Sequence, residues 1–280
     1  MILFKKFSPD SQNPCQADLQ DGHASRFGKW QATSAQCRNV IWVSLYLTLI
    51  FVALFSAFPR LDLTINAMFV SAQHPFAIQF NPYWKAVRAT MIALTDGVMT
   101  CLLMWWIAGM IWPRVQRVRQ SVLGFMIGCY IAVPGLIVNL GLKHHWGRAR
   151  PRNITEYGGG ASFTPPLQLA DQCHGSCSFV SGEASALFTV GTLVILLVVP
   201  ALAPRLRLPA ICATVAIAVF GSALRVAFGG HFASDVIFAA LLSVCLTVGL
   251  YQLSGLGQRA PSLPLRRPIA RKSTTATVFD

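Results

Sequence analysis

The sequence predicts an all-α membrane protein in which six transmembrane helices form one bundle. Of its 280 residues, 54% are apolar and 12% are charged, and the mean hydropathy is +0.53. A soluble domain carries about 25% charged residues, so half that level indicates a chain that lies in lipid. Six stretches have the ~20 mostly apolar residues needed to cross the hydrocarbon: 40–58, 90–112, 121–141, 183–203, 209–228 and 233–253.

The basic residues, which give a net charge of +13, are distributed unevenly along the chain. With a cytoplasmic N-terminus, fifteen of the 23 Lys and Arg residues fall inside and eight fall outside. This distribution predicts an inner-membrane protein with both termini in the cytoplasm. Five of the eight outer cations lie in or beside three short motifs. Membrane topology and the three motifs therefore explain the net positive charge, and nucleic acid is not an expected partner.

The chain divides into a membrane domain and two flanking segments. Residues 1–38 lack the apolar core of a secretory signal and predict a flexible cytoplasmic segment. Residues 39–254 predict the six-helix domain, with a long outer loop at 143–180 that suggests a lid or a substrate-contact loop. Residues 255–280, rich in Pro and Arg, predict a basic cytoplasmic tail.

Asp96 is the only acidic residue deep inside a predicted span. An acid at the centre of a membrane helix costs about 2.5–3.5 kcal/mol on insertion scales. We therefore expect Asp96 to face protein or water. The simplest interpretation is a hydrogen-bonded packing residue.

Three motifs at the ends of predicted spans carry the residues suited to chemistry. The first, Lys143–Pro151, is a cationic cluster at the end of an apolar run. The second is Ser178–Ser185, and the third is Arg225–Asp235. Because each lies at a span boundary, we expect all three to meet at one face of the membrane, where they would form a phosphate site containing a nucleophile.

The third motif pairs a histidine with an aspartate. His231 follows a Gly-Gly pair that ends one span, and Asp235 lies four residues later, on the same face of the next helix. This spacing allows Asp235 to accept a hydrogen bond from one ring nitrogen and leaves the other nitrogen free. The arrangement is typical of basic or nucleophilic histidines.

The second motif places Ser181 and Gly182 at a helix start. Serine is an ordinary N-cap, and helix N-termini also bind anions. Glu183, one of only two glutamates in the chain, lies in the first turn, where it could simply complement the helix dipole.

Two of the eight cysteines, Cys173 and Cys177, lie in the outer loop. An oxidising compartment would allow a short disulfide, while two unpaired thiols remain an equal alternative because sequence does not give connectivity. A metal site using His174 between them supplies three ligands at most, fewer than structural zinc requires.

Together the motifs resemble the type 2 phosphatidic acid phosphatase family of membrane lipid phosphatases. The family's first motif is matched in full by Lys143 and the pair Arg150-Pro151. In its second motif, Pro-Ser-Gly-His, the serine and glycine are present, but Val180 replaces proline and Glu183 replaces histidine. The third motif is matched by Arg225, His231 and Asp235 at the family's spacing, but Leu224 replaces its serine.

The resemblance implies a role for each matched residue. His231 would attack phosphorus and form a phosphohistidine, and Asp235 would hold its tautomer. The phosphate would be bound by a separate set: Lys143, Arg150, Arg225, Ser181 and Gly182. Phosphoryl transfer needs mainly positioning and charge stabilisation, so no metal and no cofactor are expected.

Glu183 leaves two hypotheses open, because the family uses a histidine there to protonate the leaving oxygen. In the first, Glu183 is the general acid and is protonated only in the substrate complex. In the second, Glu183 forms a salt bridge with a site arginine, and His145, His174 or water delivers the proton.

The expected activity is hydrolysis of a lipid phosphate on the extracytoplasmic side of the inner membrane. Lipid A, phosphatidylglycerophosphate, phosphatidate and polyprenyl pyrophosphate are the candidate substrates, and the outer cations slightly favour lipid A. A phosphotransferase using the same histidine, or an inactive lipid-binding protein, are the alternatives. The expected partners are the lipid substrate and membrane lipids, and the sequence does not give the oligomeric state.

Overall fold

The computed structural model describes residues 32–71, 74–112 and 118–256. These residues form no β-strand and contain six helices long and apolar enough to cross a membrane: α1 Ser34–Ala57, α3 Pro82–Ile111, α4 Gln120–His145, α5 Gly182–Ala201, α6 Pro204–Ala227 and α7 Ala233–Ser254. A short helix, α2, spans Leu61–Ala67. The predicted all-α bundle with six spans is confirmed.

The flanking segments are mostly outside the described residues. Residues 1–31 of the predicted N-terminal segment and residues 257–280 of the predicted tail belong to that part of the chain. The last residues of the N-terminal segment are helical, because α1 begins at Ser34. Thr33 and Gln36 form a capping box that satisfies two N–H groups at this helix start.

Helix α5 lies at the centre of the bundle, where it packs against α4, α6 and α7. Helix α1 packs on α7, and α3 packs mainly on α4. Near the site, one apolar cluster joins Phe55, Val138, Val180 and Phe238 from three spans and the outer loop. The outer faces of α1 and α3 expose large apolar side chains such as Trp42 and Met104, as expected for surfaces that contact lipid.

Helix α3 begins eight residues before the predicted apolar window. Asn81 caps it by accepting from the backbone N–H groups of Tyr83 and Trp84, and Pro82 occupies the first helical position, where its missing N–H costs nothing. This early start places Arg88 inside the helix and not in a loop.

The second half of α4, Ile131–Leu142, has the wider π-helical winding. Pro134 lies inside this segment; its ring clashes with the preceding turn and it has no N–H to donate. The wider winding accommodates the proline without ending the helix. The segment leads directly into Lys143.

The outer loop is held by covalent and hydrogen bonds. Cys173 and Cys177 form a disulfide, so the disulfide alternative is the one present in the structure. The Tyr157 hydroxyl donates to the Leu63 carbonyl of α2 at 2.6 Å. Gly147 has φ +68°, and a Cβ there would lie 1.6 Å from the Ala170 carbonyl oxygen, so this turn in the first motif requires glycine.

Candidate active site

His231 lies in the turn between α6 and α7 and is buried, with 1% of its surface exposed. Its Nδ1 atom lies 2.7 Å from the backbone carbonyl oxygen of Ser178. A carbonyl oxygen only accepts hydrogen bonds, so Nδ1 carries the proton and Nε2 has the lone pair. This is the tautomer that a histidine nucleophile requires at Nε2.

Burial keeps this imidazole neutral. It lowers the pKa of His231 to about 4, against the opposing effect of the Asp235 carboxylate, and the nearby charges of Arg225 and Lys143 lower that pKa further. Neutral imidazole is the nucleophilic form, so the ring is ready to react throughout the neutral pH range.

Asp235 lies close to His231 but bonds mainly to other groups. One carboxylate oxygen, Oδ2, is 3.7 Å from His231 Nδ1, and it accepts from the Ser178 hydroxyl and from the Phe232 N–H. The sequence predicted Asp235 as the acceptor for the ring. The structure places the Ser178 carbonyl there, because the Asp235 oxygen is already occupied by these two donors.

Arg148, in the first motif, is fully buried beneath the site. It donates to Asp235 Oδ1 at 2.6 Å, to Asp62 Oδ2 of α2 at 2.8 Å and to the Ser234 hydroxyl at 2.9 Å. Its guanidinium also stacks 4.0 Å from the centre of the Phe232 ring. Arg148 therefore holds Asp235 in place, and its side chain is buried among protein groups.

The buried carboxylate of Asp62 completes this network. Asp62 accepts from the Ser234 N–H at 2.9 Å as well as from the Ser234 hydroxyl. Burial raises the pKa of Asp62, while Arg148 lowers it. On the same helix, Asn66 donates to the His231 carbonyl at 3.4 Å. Helix α2 thus positions the histidine turn, a role that sequence reasoning missed because α2 is remote in the chain.

Of the three predicted phosphate-binding cations, Lys143 and Arg225 act electrostatically on His231, and Arg150 acts on these two cations. Lys143, at the end of α4, interacts electrostatically with Arg150, Arg225 and Asp235. Arg225 is 5% exposed, and its buried Nε makes no hydrogen bond among the described residues. Gly230 makes room for it, since a Cβ there would lie 2.7 Å from an Arg225 terminal nitrogen.

Arg150 is mounted on the outer loop. It donates to the Ser176 carbonyl at 2.9 Å and to the Ser176 hydroxyl at 3.0 Å, within the turn that the Cys173–Cys177 disulfide closes. Burial lowers the pKa of Arg150, as does the neighbouring charge of Arg152, while Glu183 raises it. The first motif therefore supplies two cations from different directions, Lys143 from a helix and Arg150 from the loop.

Ser181 and Gly182 begin α5 as predicted. The Ser181 hydroxyl accepts from the Ala184 N–H at 3.4 Å. The backbone N–H of Ser181 donates to the Asp235 carbonyl at 3.2 Å. A Cβ at Gly182 would lie 2.4 Å from the Asn139 side-chain oxygen, so glycine allows α5 to start against α4. The first N–H groups of a helix have no intrahelical partner and suit a phosphate.

Glu183 forms ion pairs with two arginines. It contacts Arg88 directly through both carboxylate oxygens, and Arg225 Nε lies 3.3 Å away. These are the contacts that the second hypothesis for Glu183 requires. Sequence reasoning misses Arg88 because it precedes the apolar window that begins at residue 90. An arginine so close to an apolar run was the available signal.

A cavity of about 580 Å³ extends from these charged groups into the bundle. Arg88, Lys143 and Glu183 line it near the site, while Asp96 and Tyr130 line it farther along α3 and α4. Most of its other walls are apolar, which suits a hydrocarbon chain. In the described part of the chain, no group of three His, Cys, Asp or Glu side chains could hold a metal ion.

A sequence model of the PAP2 superfamily matches residues 123–258, which include all three motifs. Over this stretch, which is slightly less than half of the chain, the sequence is similar to the PAP2 superfamily. Three curated relatives match as well, and no solved structure matches.

The three relatives are all lipid A 4'-phosphatases by name. One from Francisella tularensis subsp. novicida is 29% identical over 205 residues, which is 71% of this chain and 88% of the relative. Those from Rhizobium leguminosarum and Rhizobium etli are 36% and 37% identical over half of this chain, and the match spans 56% and 52% of their lengths. These matches indicate a membrane phosphatase, a hydrolase of phosphate esters.

Proposed function

We propose that this protein removes a phosphate group from lipid A through a phosphohistidine intermediate on His231. The observation that carries the proposal is the contact between His231 Nδ1 and the Ser178 carbonyl. It leaves the Nε2 lone pair of a buried, neutral ring as the nucleophile, next to the cations of Arg225 and Lys143.

In the first step, Lys143, Arg150 and Arg225 hold the phosphate oxygens, and the N–H groups at the Ser181–Gly182 helix start add further donors. The Nε2 lone pair forms a bond to phosphorus while the bond from phosphorus to the sugar oxygen breaks. The ring is then positively charged, and the nearby Asp235 carboxylate stabilises that charge.

In the second step, water attacks the phosphohistidine, releases inorganic phosphate and restores the free ring.

The sugar oxygen that leaves in the first step takes its proton from water. Glu183 does not deliver it in this proposal, because a carboxylate paired with Arg88 and Arg225 stays ionised. Glu183 instead holds the two arginines in place.

Two features support lipid A as the substrate. The curated relatives carry that name, and the apolar cavity beside the cations suits an acyl chain. The apolar lining does not distinguish lipid A from phosphatidate, phosphatidylglycerophosphate or polyprenyl pyrophosphate, so these lipids are included in the test.

The charge distribution of the sequence supports a location. With fifteen of 23 basic residues on the cytoplasmic side, the site faces the extracytoplasmic side of the inner membrane, and both termini are cytoplasmic. The six-helix domain then has cytoplasmic flanking segments, and the loop at 143–180 covers the site from outside.

Phosphate release by the purified protein tests this function. We expect hydrolysis of lipid A in mixed micelles to exceed that of the three other lipids, and His231→Ala to lower turnover by at least about a thousandfold, as for a lost nucleophile. His144→Ala is the matched control, since His144 is exposed at the end of α4. Mass spectrometry of the product shows which phosphate is removed.

Three outcomes would contradict the proposal. Phosphate transfer to a lipid acceptor without release into water would make the protein a phosphotransferase. Release that does not depend on His231 would exclude the phosphohistidine. No release from any of the four lipids, by protein that unfolds cooperatively, would indicate an inactive lipid-binding protein.

A further inference from the structure

Asp96 and Tyr130 form a polar pair far from the charged site. The Tyr130 hydroxyl donates to Asp96 Oδ1 at 2.6 Å. The second carboxylate oxygen, Oδ2, has no hydrogen-bond partner among the described residues. Both side chains line the cavity, and Asp96 is exposed. The pair therefore presents an unused hydrogen-bond acceptor to the cavity.

Because the pair lies at the middle of a membrane helix, a carboxylate oxygen of Asp96 without a hydrogen bond costs free energy. Asp96 lies at the midpoint of α3, which spans Pro82–Ile111. An acid at the centre of a membrane helix costs about 2.5–3.5 kcal/mol and usually marks a functional site. One tyrosine hydroxyl satisfies only part of the hydrogen-bonding capacity of a carboxylate.

The pair also lies at a fixed distance from the phosphate cations. Arg88 and Asp96 are eight residues apart on the same helix, which is about 12 Å at a rise of 1.5 Å per residue. Both line one continuous cavity, and the wall between them includes Ile92, Leu140 and Leu187. A lipid with its phosphate beside Arg88 would therefore pass its acyl portion along Asp96.

We propose that Asp96 and Tyr130 form a specificity subsite that accepts a hydrogen bond from a hydroxyl or amide N–H on the acyl portion of the substrate. This inference rests on the proposed function, in which the acyl chain of a phosphorylated lipid occupies the cavity. Apolar walls admit any acyl chain, whereas an acceptor in the cavity at the middle of the membrane distinguishes a chain that can donate a hydrogen bond from one that cannot.

Two matched substrates test the subsite: glucosamine 4-phosphate N-acylated with either tetradecanoate or 3-hydroxytetradecanoate. We expect the wild type to prefer the hydroxylated lipid by about tenfold in kcat/KM, as for one additional hydrogen bond. Asp96→Leu should reduce this ratio to near one, because the acceptor that distinguishes the two lipids is then missing.

Thr100→Val is the matched control. Thr100 lies one turn farther along α3, where its hydroxyl donates to the backbone carbonyl of Asp96 at 2.7 Å, and its side chain is not among those that line the cavity. We expect its substrate ratio to equal that of the wild type. If Asp96→Leu does not yield folded protein, Asp96→Asn gives the same comparison, because a neutral amide oxygen is a weaker acceptor and the ratio should fall at least about threefold.

The outcomes separate this inference from the proposed function. If the wild type hydrolyses both lipids equally and His231→Ala abolishes both activities, the subsite is wrong and the phosphatase proposal stands. An Asp96→Leu variant that keeps the full preference, or loses stability without any change in the ratio, makes the pair a packing contact between α3 and α4. If neither lipid releases phosphate, both proposals fail.

Discussion

At the scale of single residues, the surroundings of His231 determine its charge. Burial lowers its pKa to about 4, whereas a histidine in an unfolded chain has a pKa near 6.5. Between these values the unfolded chain binds one more proton than the folded protein does. The neutral ring therefore costs no stability above about pH 6.5, and protonation favours unfolding as the pH falls toward 4.

The difference between the pKa of His231 in the folded protein and its pKa in the unfolded chain predicts a pH dependence of stability that is due to this one residue. We expect the wild type to lose more thermal stability than His231→Asn when the pH is lowered from 7 to 5, because asparagine does not titrate. Unfolding of both purified proteins in the same detergent, followed at both pH values, measures the effect. Equal losses for the two proteins would show that His231 is not held neutral.

Glu183→Gln separates the two hypotheses for that residue. If Glu183 only holds Arg88 and Arg225, kcat should remain within about tenfold of wild type, whereas loss of a general acid costs about 10² to 10⁴. We also expect tighter inhibition by inorganic phosphate, because the two arginines lose their internal anion. Steady-state kinetics with added phosphate measures both effects.

The other glutamate in the chain is the control for this substitution. Glu156 is exposed in the outer loop, and Glu156→Gln should leave both kinetic constants unchanged. A kcat more than about a hundredfold below wild type for Glu183→Gln alone would restore Glu183 as the proton donor.

At the scale of helices and turns, a single buried network joins α2 to the start of α7. Arg148 bridges Asp62 and Asp235, and all three side chains are fully buried. Two carboxylates this close together and out of water are tolerable only because one guanidinium pairs with both. The histidine turn is held between them through the Asn66 contact and the Phe232 N–H.

Removing the cation should therefore destabilise the fold. We expect Arg148→Ala to lower the free energy of unfolding by about 3–5 kcal/mol, since it leaves two buried carboxylates unpaired. Arg152→Ala, at an exposed position on the same loop, should change it by less than about 0.5 kcal/mol. Unfolding of the two variants in parallel tests this, and similar losses would contradict the role given to Arg148.

At the scale of the whole molecule, the proposed orientation in the membrane rests on the distribution of the basic residues. A reporter fused after residue 280 should be active if it is a fluorescent protein and inactive if it is an alkaline phosphatase, because the latter folds only in an oxidising compartment. Fusing each reporter after residue 160, in the outer loop, should reverse both results. Any other pattern would overturn the proposed orientation.

Much of the fold was predictable from the sequence, because the requirement for apolar length acts locally. Each of the six spans was predicted from its own residues, and the α4 proline was correctly kept inside a helix. Helix starts were less accurate: α3 begins at Pro82 because an Asn-Pro cap extends it, and hydropathy does not detect such caps.

The site was predictable only where its residues form spaced motifs. Lys143, Arg225 and His231 do, but other residues that support the site do not. Asp62 lies more than 160 residues from the turn that it supports, and Arg88 meets Glu183 only after α3 and α5 have packed. The Ser178 contact uses a backbone atom, and the sequence of side chains gives no signal for it.

The backbone carbonyl of Ser178 has a consequence for mutational analysis of this site. Every amino acid at position 178 carries the same carbonyl, so no codon change removes the group that sets the tautomer of His231. A complete mutational scan would report Asp235 and Arg148 as sensitive positions and would miss this acceptor. Only semisynthesis, with an ester or thioamide in place of that one peptide linkage, would reveal how much of the rate depends on it.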